Sequence, residues 1–371
     1  MLMYGSLNVL IDCTSYAVAV GDEAKAERRM GQILSYGAGG MGRQERAGSM
    51  RVLMVVFLMV WAGLGVMRGQ APGTGNIMSK PGPQLVWIDT DIGDDIDDAF
   101  ALGLILRSPE LKVVGISTAF GDTEMRARLV DRFLAASGGQ AIPVTAGVHT
   151  ETSNLMTQKA YAERFPAHEH PDGVKALLDA IRKYPEQITL IAIGPLFNIG
   201  AAIDREPETF RQLRRVVMMG GSIQRGYDGK DGEQRPADPE WNILQDPKGA
   251  AKLFASGAPI FMAPLDSTQI HLDPAKREAI FVVGNPLTDQ LTLLYHQWID
   301  NAPYHPQTPT LFDPVAAAYT FQPDLCPMQP MRIAVDEKGF TRKVAGEPNA
   351  QVCLKSDEAG FLKLLEARLV R

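Results

Sequence analysis

The sequence predicts an α/β fold: an open, mostly parallel sheet with helices on both faces. Three observations predict it. From Gln84 onward, short apolar runs of strand length alternate with stretches of helical pattern, the signature of successive βα units. The runs are apolar enough to be strands covered on both faces. Polar motifs follow several of these runs, at the strand ends where open α/β sheets bind their ligands.

Taken in order, residues 1–49 have no sustained periodicity and read as an extension outside the fold, disordered or upstream of a natural start at Met50. Met50-Arg51 opens an apolar run, Val52–Met67, followed by small residues at Gly69 and Ala71. A short basic start, an apolar stretch and small residues are the pattern of a secretory signal, here with cleavage after Ala71. The alternative is an uncleaved membrane tether through residues 52–67, shorter than the ~20 residues that a span needs. The expected location is therefore secreted or periplasmic, with anchoring as the second reading. Residues 72–83 are rich in Pro and Gly and read as a linker. One folded domain, 84–371, follows.

Within it, Leu85–Ile88 reads as a buried strand and Asp97–Arg107 as an apolar helix. Leu111–Ser117 is a second strand and Thr123–Ala136 an amphipathic helix. Ala141–Ala146 is strand-like, Gly173–Tyr184 helical, Ile188–Ile193 a strand and Leu196–Ile203 a short helix. Arg215–Met219 and Pro259–Ala263 are strands, with a helix, Pro247–Ser256, between them. Gly220–Glu240 has no period and is rich in Gly, Asp and Pro, so it reads as a functional loop. Asp313-Pro314 opens an apolar helix, Val315–Phe321.

Net charge is −6 with histidines neutral, which excludes the clustered basic surface that nucleic acid requires. The three cysteines, Cys13, Cys326 and Cys353, form no C-x-x-C pair, so a thiolate zinc site is not expected. Free thiols are the expectation for Cys326 and Cys353, with their pairing the alternative.

Asp89-Thr90-Asp91-Ile92-Gly93-Asp94-Asp95-Ile96-Asp97-Asp98 holds six aspartates in ten positions. A helix cap and a solvated turn account for about two of them. Gathering all six is unfavourable without a cation, and oxygen ligands select Ca²⁺ or, second, Mg²⁺. An EF-hand loop is excluded, because Asp94 and Phe100 stand where it needs Gly and Glu. The rival reading of the D-x-D is a metal-dependent phosphatase of the haloacid-dehalogenase type, with Asp89 as nucleophile and Ser267-Thr268 as its later hydroxyl motif. It also needs a strand-end lysine, which is not found.

Further motifs follow later strands: Gly194-Pro195-Leu196-Phe197-Asn198, Met218-Met219-Gly220-Gly221, Asp238-Pro239-Glu240-Trp241-Asn242 and Asp313-Pro314. Their order, after the opening D-T-D, resembles the inosine-uridine-preferring nucleoside hydrolase family from about Leu85 to about Thr320. The resemblance implies a Rossmann-like fold, a tightly bound Ca²⁺ and cleavage of the N-glycosidic bond of ribonucleosides to ribose and free base. It matches Asp91, Asp98, Asp313 and the carbonyl of Ile193 to the metal ligands, and Asp91 also to the general base. Asp97, Glu240 and Asn242 match ribose ligands, Met219 lines the sugar pocket, and Asp122 falls at the family's Gly-Asn. Asp89 looks like a group supporting the loop.

The sequence departs from the family pattern in four places, one of them Asp122 in place of the asparagine. Ile92 replaces a proline, and the loop is longer before Asp97-Asp98. That pair is matched in preference to Asp94-Asp95 because Ala99-Phe100-Ala101-Leu102 follows it. Phe312 stands where the family has a histidine associated with protonating the leaving group. Candidate replacement acids are His296, Tyr304 and His305, and Trp298 or Trp241 could stack on a base or pack in the core. The missing histidine also keeps open a binding protein without turnover. The expected partners are a small ribonucleoside and further copies of the chain, with no nucleic acid.

Overall fold

The structure, a computed structural model, describes residues 82–229, 232–304 and 308–371. The extension, signal or tether and most of the linker lie outside the described residues, as does His305. Among the described residues, no helix is long and apolar enough to cross a membrane.

The strands are β1 (Gln84–Thr90), β2 (Leu111–Thr118), β3 (Val144–Ala146), β4 (Thr189–Ile193), β5 (Arg215–Met219), β6 (Ile260–Ala263), β7 (Met328–Val335), β8 (Thr341–Val344) and β9 (Ala350–Cys353). They form one nine-stranded sheet in the order β3-β2-β1-β4-β5-β6-β9-β7-β8. From β3 to β9 all neighbours are parallel. Only β7 joins β9 and β8 in antiparallel fashion. The expected open, mostly parallel sheet is therefore present, with an antiparallel margin.

The principal helices are α1 (Asp97–Leu106), α2 (Thr123–Ala136), α3 (Gly173–Lys183), α4 (Phe197–Arg205), α5 (Trp241–Gln245), α6 (Pro247–Ala255), α7 (Pro286–Asn301), α8 (Phe312–Tyr319) and α9 (Glu358–Leu369). Alternate strand residues face opposite sides, and each side has its own core. Val86, Ile88, Ile191 and Ile193 pack with α1, α2, α7, α8 and α9. Trp87, Leu190, Ala192 and Met218 pack with α3, α4 and α6. Strand residues buried on both faces explain why the sequence runs read as continuously apolar.

The Trp87 indole needs space beside β2, and Gly115 supplies it: a Cβ there would lie 2.2 Å from the ring. The same indole donates to Ser117 Oγ at 2.9 Å.

Two expectations change. Phe312 and Asp313 belong to the first turn of α8 rather than preceding it. Cys326 and Cys353 form a disulfide instead of remaining free thiols. The reason is topological: Met328 pairs with Cys353 across β7 and β9, which brings the two Cα atoms to 5.9 Å, within disulfide reach. The stretch from Gly220 to Glu240 has no strand or α-helix among its described residues, as its composition predicts.

Candidate active site

The strand order reverses at β1, with β2 on one side and β4 on the other. Crevices at such switch points, beyond the carboxyl ends of the strands, receive ligands. Thr90, the last residue of β1, lies opposite Ile193, the last of β4, and the acidic segment begins there.

A cavity of about 400 Å³ occupies this crevice, within the range of roughly 300–1,000 Å³ typical of small-molecule sites. Asp91, Asp97, Asp98, Ile193 and Asp313 line one part of it, and Met219, Glu240 and Asn242 another. Tyr227, Trp241, Tyr304 and Phe312 add aromatic walls. Asp97 and Asp98 occupy the first turn of α1, and Asp313 the first turn of α8. These three carboxylates offer oxygens that all lie within 4.8 Å of one another. Each residue is only 4% exposed.

Hydrogen bonds fix this geometry. Thr90 Oγ1 donates to Asp98 at 2.5 Å, and the backbone N–H of Asp313 donates to Asp97 at 3.1 Å. Beneath them, Asp89 accepts from Ser117 Oγ and, at 2.7 Å, from Asn198 Nδ2. Asn198 also accepts from Val148 N at 2.7 Å, so the last residue of the Gly-Pro-Leu-Phe-Asn motif ties three strand ends together. Gly194 of the same motif permits a close approach: a Cβ there would lie 2.8 Å from Asp91 N and 3.0 Å from its carboxylate.

The electrostatics are severe. Burial, then Asp95 and Asp91, hold the Asp97 carboxyl well above the usual range. Asp98 is raised by burial and by Asp91 and Asp97, and Asp313 by burial and by Asp97 and Asp98. Burial pushes Asp91 up to about 7, with Arg126 opposing and Asp94 and Glu240 adding to the rise. Buried carboxylates repel one another unless protons or a cation compensate. The donor set is all oxygen, which suits a hard divalent ion such as Ca²⁺. The residues present therefore fit the metal that the sequence implies.

The Asp94-Asp95 pair has other partners. Asp94 receives Arg126 Nη2 at 2.9 Å. Asp95 accepts from Ile96 N at 2.6 Å and from the Tyr304 hydroxyl at 3.4 Å. This supports matching Asp97-Asp98 to the ligand positions.

Glu240 caps α5, accepting from Asn242 N, Ile243 N and Gly221 N at 2.9, 3.2 and 2.8 Å. Burial still raises it to about 7 against those three donors. Asn242 Nδ2 donates to the Met219 carbonyl at 3.2 Å.

Not every expected residue joins the site. Asp122 is exposed and caps α2 through Met125 N at 3.0 Å, outside the cavity lining. His296 is exposed on α7 and is also absent from the lining. Tyr304 is the one candidate acid that the described residues bring to the cavity. Trp298 is core, only 2% exposed, and supports Tyr304 by donating to its hydroxyl at 2.9 Å. Trp241 does line the cavity, edge-on to Phe120 with centroids 6.0 Å apart. Ser267 and Thr268 turn their hydroxyls onto the Pro264 carbonyl, and no lysine lines the cavity. The phosphatase reading therefore has no support in this site.

Two residues were not anticipated. Arg126 is buried beneath the acidic segment. Its guanidinium donates to the carbonyls of Phe120 at 2.7 Å, Ile92 at 3.0 Å and Asp91, besides the Asp94 carboxylate. The sequence signal was an arginine sharing a helical stripe with Leu129, Val130 and Phe133. Tyr227, on the irregular loop, accepts from Trp241 N at 2.9 Å and meets Phe312 edge-on. No periodicity could have located it.

The family model described as inosine-uridine preferring nucleoside hydrolase matches residues 86–363. The chain is 31% identical over 323 residues to the pyrimidine-specific ribonucleoside hydrolase RihA of Citrobacter koseri, covering 76% of this chain and 97% of that one. A purine-preferring ribonucleoside hydrolase from Gardnerella vaginalis superposes with a TM-score of 0.65 at 25% identity, over 77% of this chain and 98% of that one. A plant nucleoside hydrolase, PpNRh1, shares the fold with a TM-score of 0.66 at 24% identity, over 78% and 99% of the two chains.

Proposed function

The chain belongs to the inosine-uridine preferring nucleoside hydrolase family and hydrolyses the N-glycosidic bond of ribonucleosides, and from that premise we propose how its own residues divide the work. The observation that carries the proposal is the convergence of Asp97, Asp98 and Asp313, with Asp91, in a cavity that Tyr227, Trp241, Tyr304 and Phe312 also line.

Asp91, Asp98, Asp313 and the carbonyl of Ile193 would hold Ca²⁺, with Mg²⁺ the weaker alternative. Such a cation, when bound, offsets the carboxylate repulsion and lowers the pKa of water at that end of the cavity. Asp91 receives the proton as the water oxygen attacks the anomeric carbon. The electron pair of the breaking bond leaves with the base. Asp97, Glu240 and Asn242 bind ribose hydroxyls, so remote binding energy orients the reacting carbon. The fixed carboxylates favour the positive charge that develops on the sugar ring.

At the aromatic end, Tyr227 and Tyr304 assist the departing base in place of the histidine that Phe312 replaces. Burial raises the Tyr227 phenol above its ordinary value, and partial desolvation with the neighbouring Asp95 raises that of the more exposed Tyr304, so both stay neutral. A neutral phenol of raised pKa serves as a hydrogen-bond donor rather than a strong acid. The Tyr227 oxygen already accepts from Trp241 N, which leaves its own proton for a ligand.

The decisive experiment is a hydrolysis screen of ribonucleosides with the purified chain, with and without a chelator. Release of ribose that is abolished by the chelator and restored by Ca²⁺ supports the scheme. Turnover that ignores the chelator, or protein that is active without Ca²⁺ or Mg²⁺, refutes it.

Export through the Met50–Ala71 signal is part of the same reading, and the Cys326–Cys353 disulfide supports it, because such bonds persist in oxidising compartments. Protein isolated from the native host should begin near Pro72 and carry no free thiol at Cys326. Intact protein retaining residues 52–67 in a reducing compartment would refute export. The expected self-association is tested by light scattering on the same material.

A further inference from the structure

A second cluster of metal-binding side chains lies outside the cavity, on the outer side of α2. Glu124 and Asp131 stand seven residues apart on that helix, two turns along one face. Opposite them runs the segment Pro166-Ala167-His168-Glu169-His170-Pro171. Arg128, between the two acids, fastens this segment by donating to the carbonyls of Glu163, at 2.6 Å, and Phe165. A residue before proline favours extended backbone, and residues i and i+2 of an extended segment share a face. His168 and His170 accordingly turn the same way, with ring centroids 4.2 Å apart.

The contacts are hard to satisfy with protons alone. His170 Nδ1 lies 2.7 Å from Glu124 Oε2, and its Nε2 lies 2.8 Å from Asp131 Oδ2. A neutral imidazole has one N–H, so one of these nitrogens would present a lone pair to a carboxylate. His168 Nε2 approaches the same Asp131 oxygen at 3.3 Å. Protons settle the cluster only if His170 becomes an imidazolium, held against a second imidazole that shares its acceptor. One divalent cation settles it with both rings neutral.

We propose that Asp131, His168 and His170 form a zinc-class metal site, separate from the carboxylate site in the cavity. The ligand atoms of the three residues lie within 4.8 Å of one another. Two imidazoles and a carboxylate suit a borderline ion such as Zn²⁺ over Ca²⁺. His170 Nε2 is the ligand atom, and its Nδ1–H donates to Glu124. A carboxylate behind a metal-bound histidine fixes the tautomer and the ring orientation. The His170 side chain is 1% exposed and that of His168 is 53% exposed, so the site is anchored on one side and open to an entering ion and a water on the other. The ion would bind residues 166–171 to α2, the helix that supplies Arg126 to the acidic segment.

The test uses the full chain saturated with Ca²⁺ and titrated with Zn²⁺ alone. One equivalent should bind per chain, with X-ray absorption reporting two imidazole nitrogens and a carboxylate oxygen at about 2.0–2.2 Å. His168→Ala, at an exposed position that folding tolerates, should weaken binding at least tenfold. Glu124→Gln should weaken it by about 10–100-fold, as loss of a supporting carboxylate does. Nucleoside hydrolysis with Ca²⁺ should be unchanged in His168→Ala, which separates this proposal from the catalytic one. Absence of a zinc equivalent, unaltered affinity in His168→Ala, or an absorption spectrum without imidazole would each overturn the site and leave an imidazolium ion-pair cluster.

Discussion

Replacing Arg126 with methionine keeps much of the buried volume and removes the guanidinium donors from the acidic segment. Three carbonyls and the Asp94 carboxylate lose their guanidinium contacts. Breaking a buried ion pair costs ~3–5 kcal/mol because the remaining charge stays unpaired. The Asp94 side chain is 19% exposed, so water recovers part of that cost and the lower end applies. Orphaned carbonyls add ~1 kcal/mol each where water cannot reach them, and these terms do not add fully. A loss of about 3–5 kcal/mol is therefore expected, a large share of a typical domain's ~5–15 kcal/mol. The same change frees the backbone at Asp91. A displacement of about 1 Å in a catalytic group costs ~10²-fold, so kcat/KM should fall at least that far in protein that remains folded. Arg126→Lys restores the charge without the planar fork and should fall between the two. Urea denaturation and steady-state hydrolysis at saturating Ca²⁺ measure both effects. Stability within ~1 kcal/mol of the wild type, with kcat/KM within threefold, would refute the anchoring role of Arg126.

Three more outcomes are expected. A 2′-deoxynucleoside should be cleaved at least about tenfold more slowly than its ribonucleoside, because an unpaired buried polar group costs on the order of 1–3 kcal/mol; equal kcat/KM would remove Asp97, Glu240 and Asn242 from ribose binding. A nitrophenyl riboside, whose leaving group needs little protonation, should outpace inosine by about 10²–10⁴-fold; Phe312→His should narrow that gap and Tyr227→Phe widen it, and equal rates unaffected by either change would contradict the assignment. Metal-free protein should lose stability as pH rises from about 4 to 7, because Asp89, Asp91 and Glu240 hold protons in the fold at pH values where the unfolded chain has released them. The displacement of Asp89 from 3.8 to about 6 alone corresponds to ~3 kcal/mol, and saturating Ca²⁺ should offset the loss; urea midpoints that rise with pH in the chelated protein would reverse the sign.

What could be read from the sequence follows from where the physics is local. The bounds of α2 and β5 were legible residue for residue, since a capping Asp122 and a helical period mark the one and an uninterrupted apolar run the other. The segment after Ala263 was poorly legible. β7 buries only some of its residues and contains Pro330, and β8 buries only Thr341, so neither presents an apolar run. The Cys326–Cys353 pairing depends on an antiparallel register that no spacing encodes. The aspartates stood out because six in ten positions conflict with burial unless something compensates. Tyr227 could not stand out, because its position is set by an irregular loop.

The two ends of the cavity are built differently, and this bears on specificity. The charged end comes from strand termini and the first turns of α1 and α8, held by Thr90, Asn198 and Arg126 through buried hydrogen bonds. Changes there propagate into the sheet and into stability. The aromatic end comes from the loop bearing Tyr227, from Tyr304 beyond α7, and from Phe312 and Trp241 at helix starts. Its side chains meet one another and also rest on the core: Tyr227 meets Phe312, both against the main core, and Tyr304 receives the buried Trp298. Loops carried on a rigid scaffold accept substitution at low cost to the fold. On the proposed scheme the bond to be broken lies against the part of the structure held by the sheet. On that scheme the base would meet the part borne on loops and helix starts.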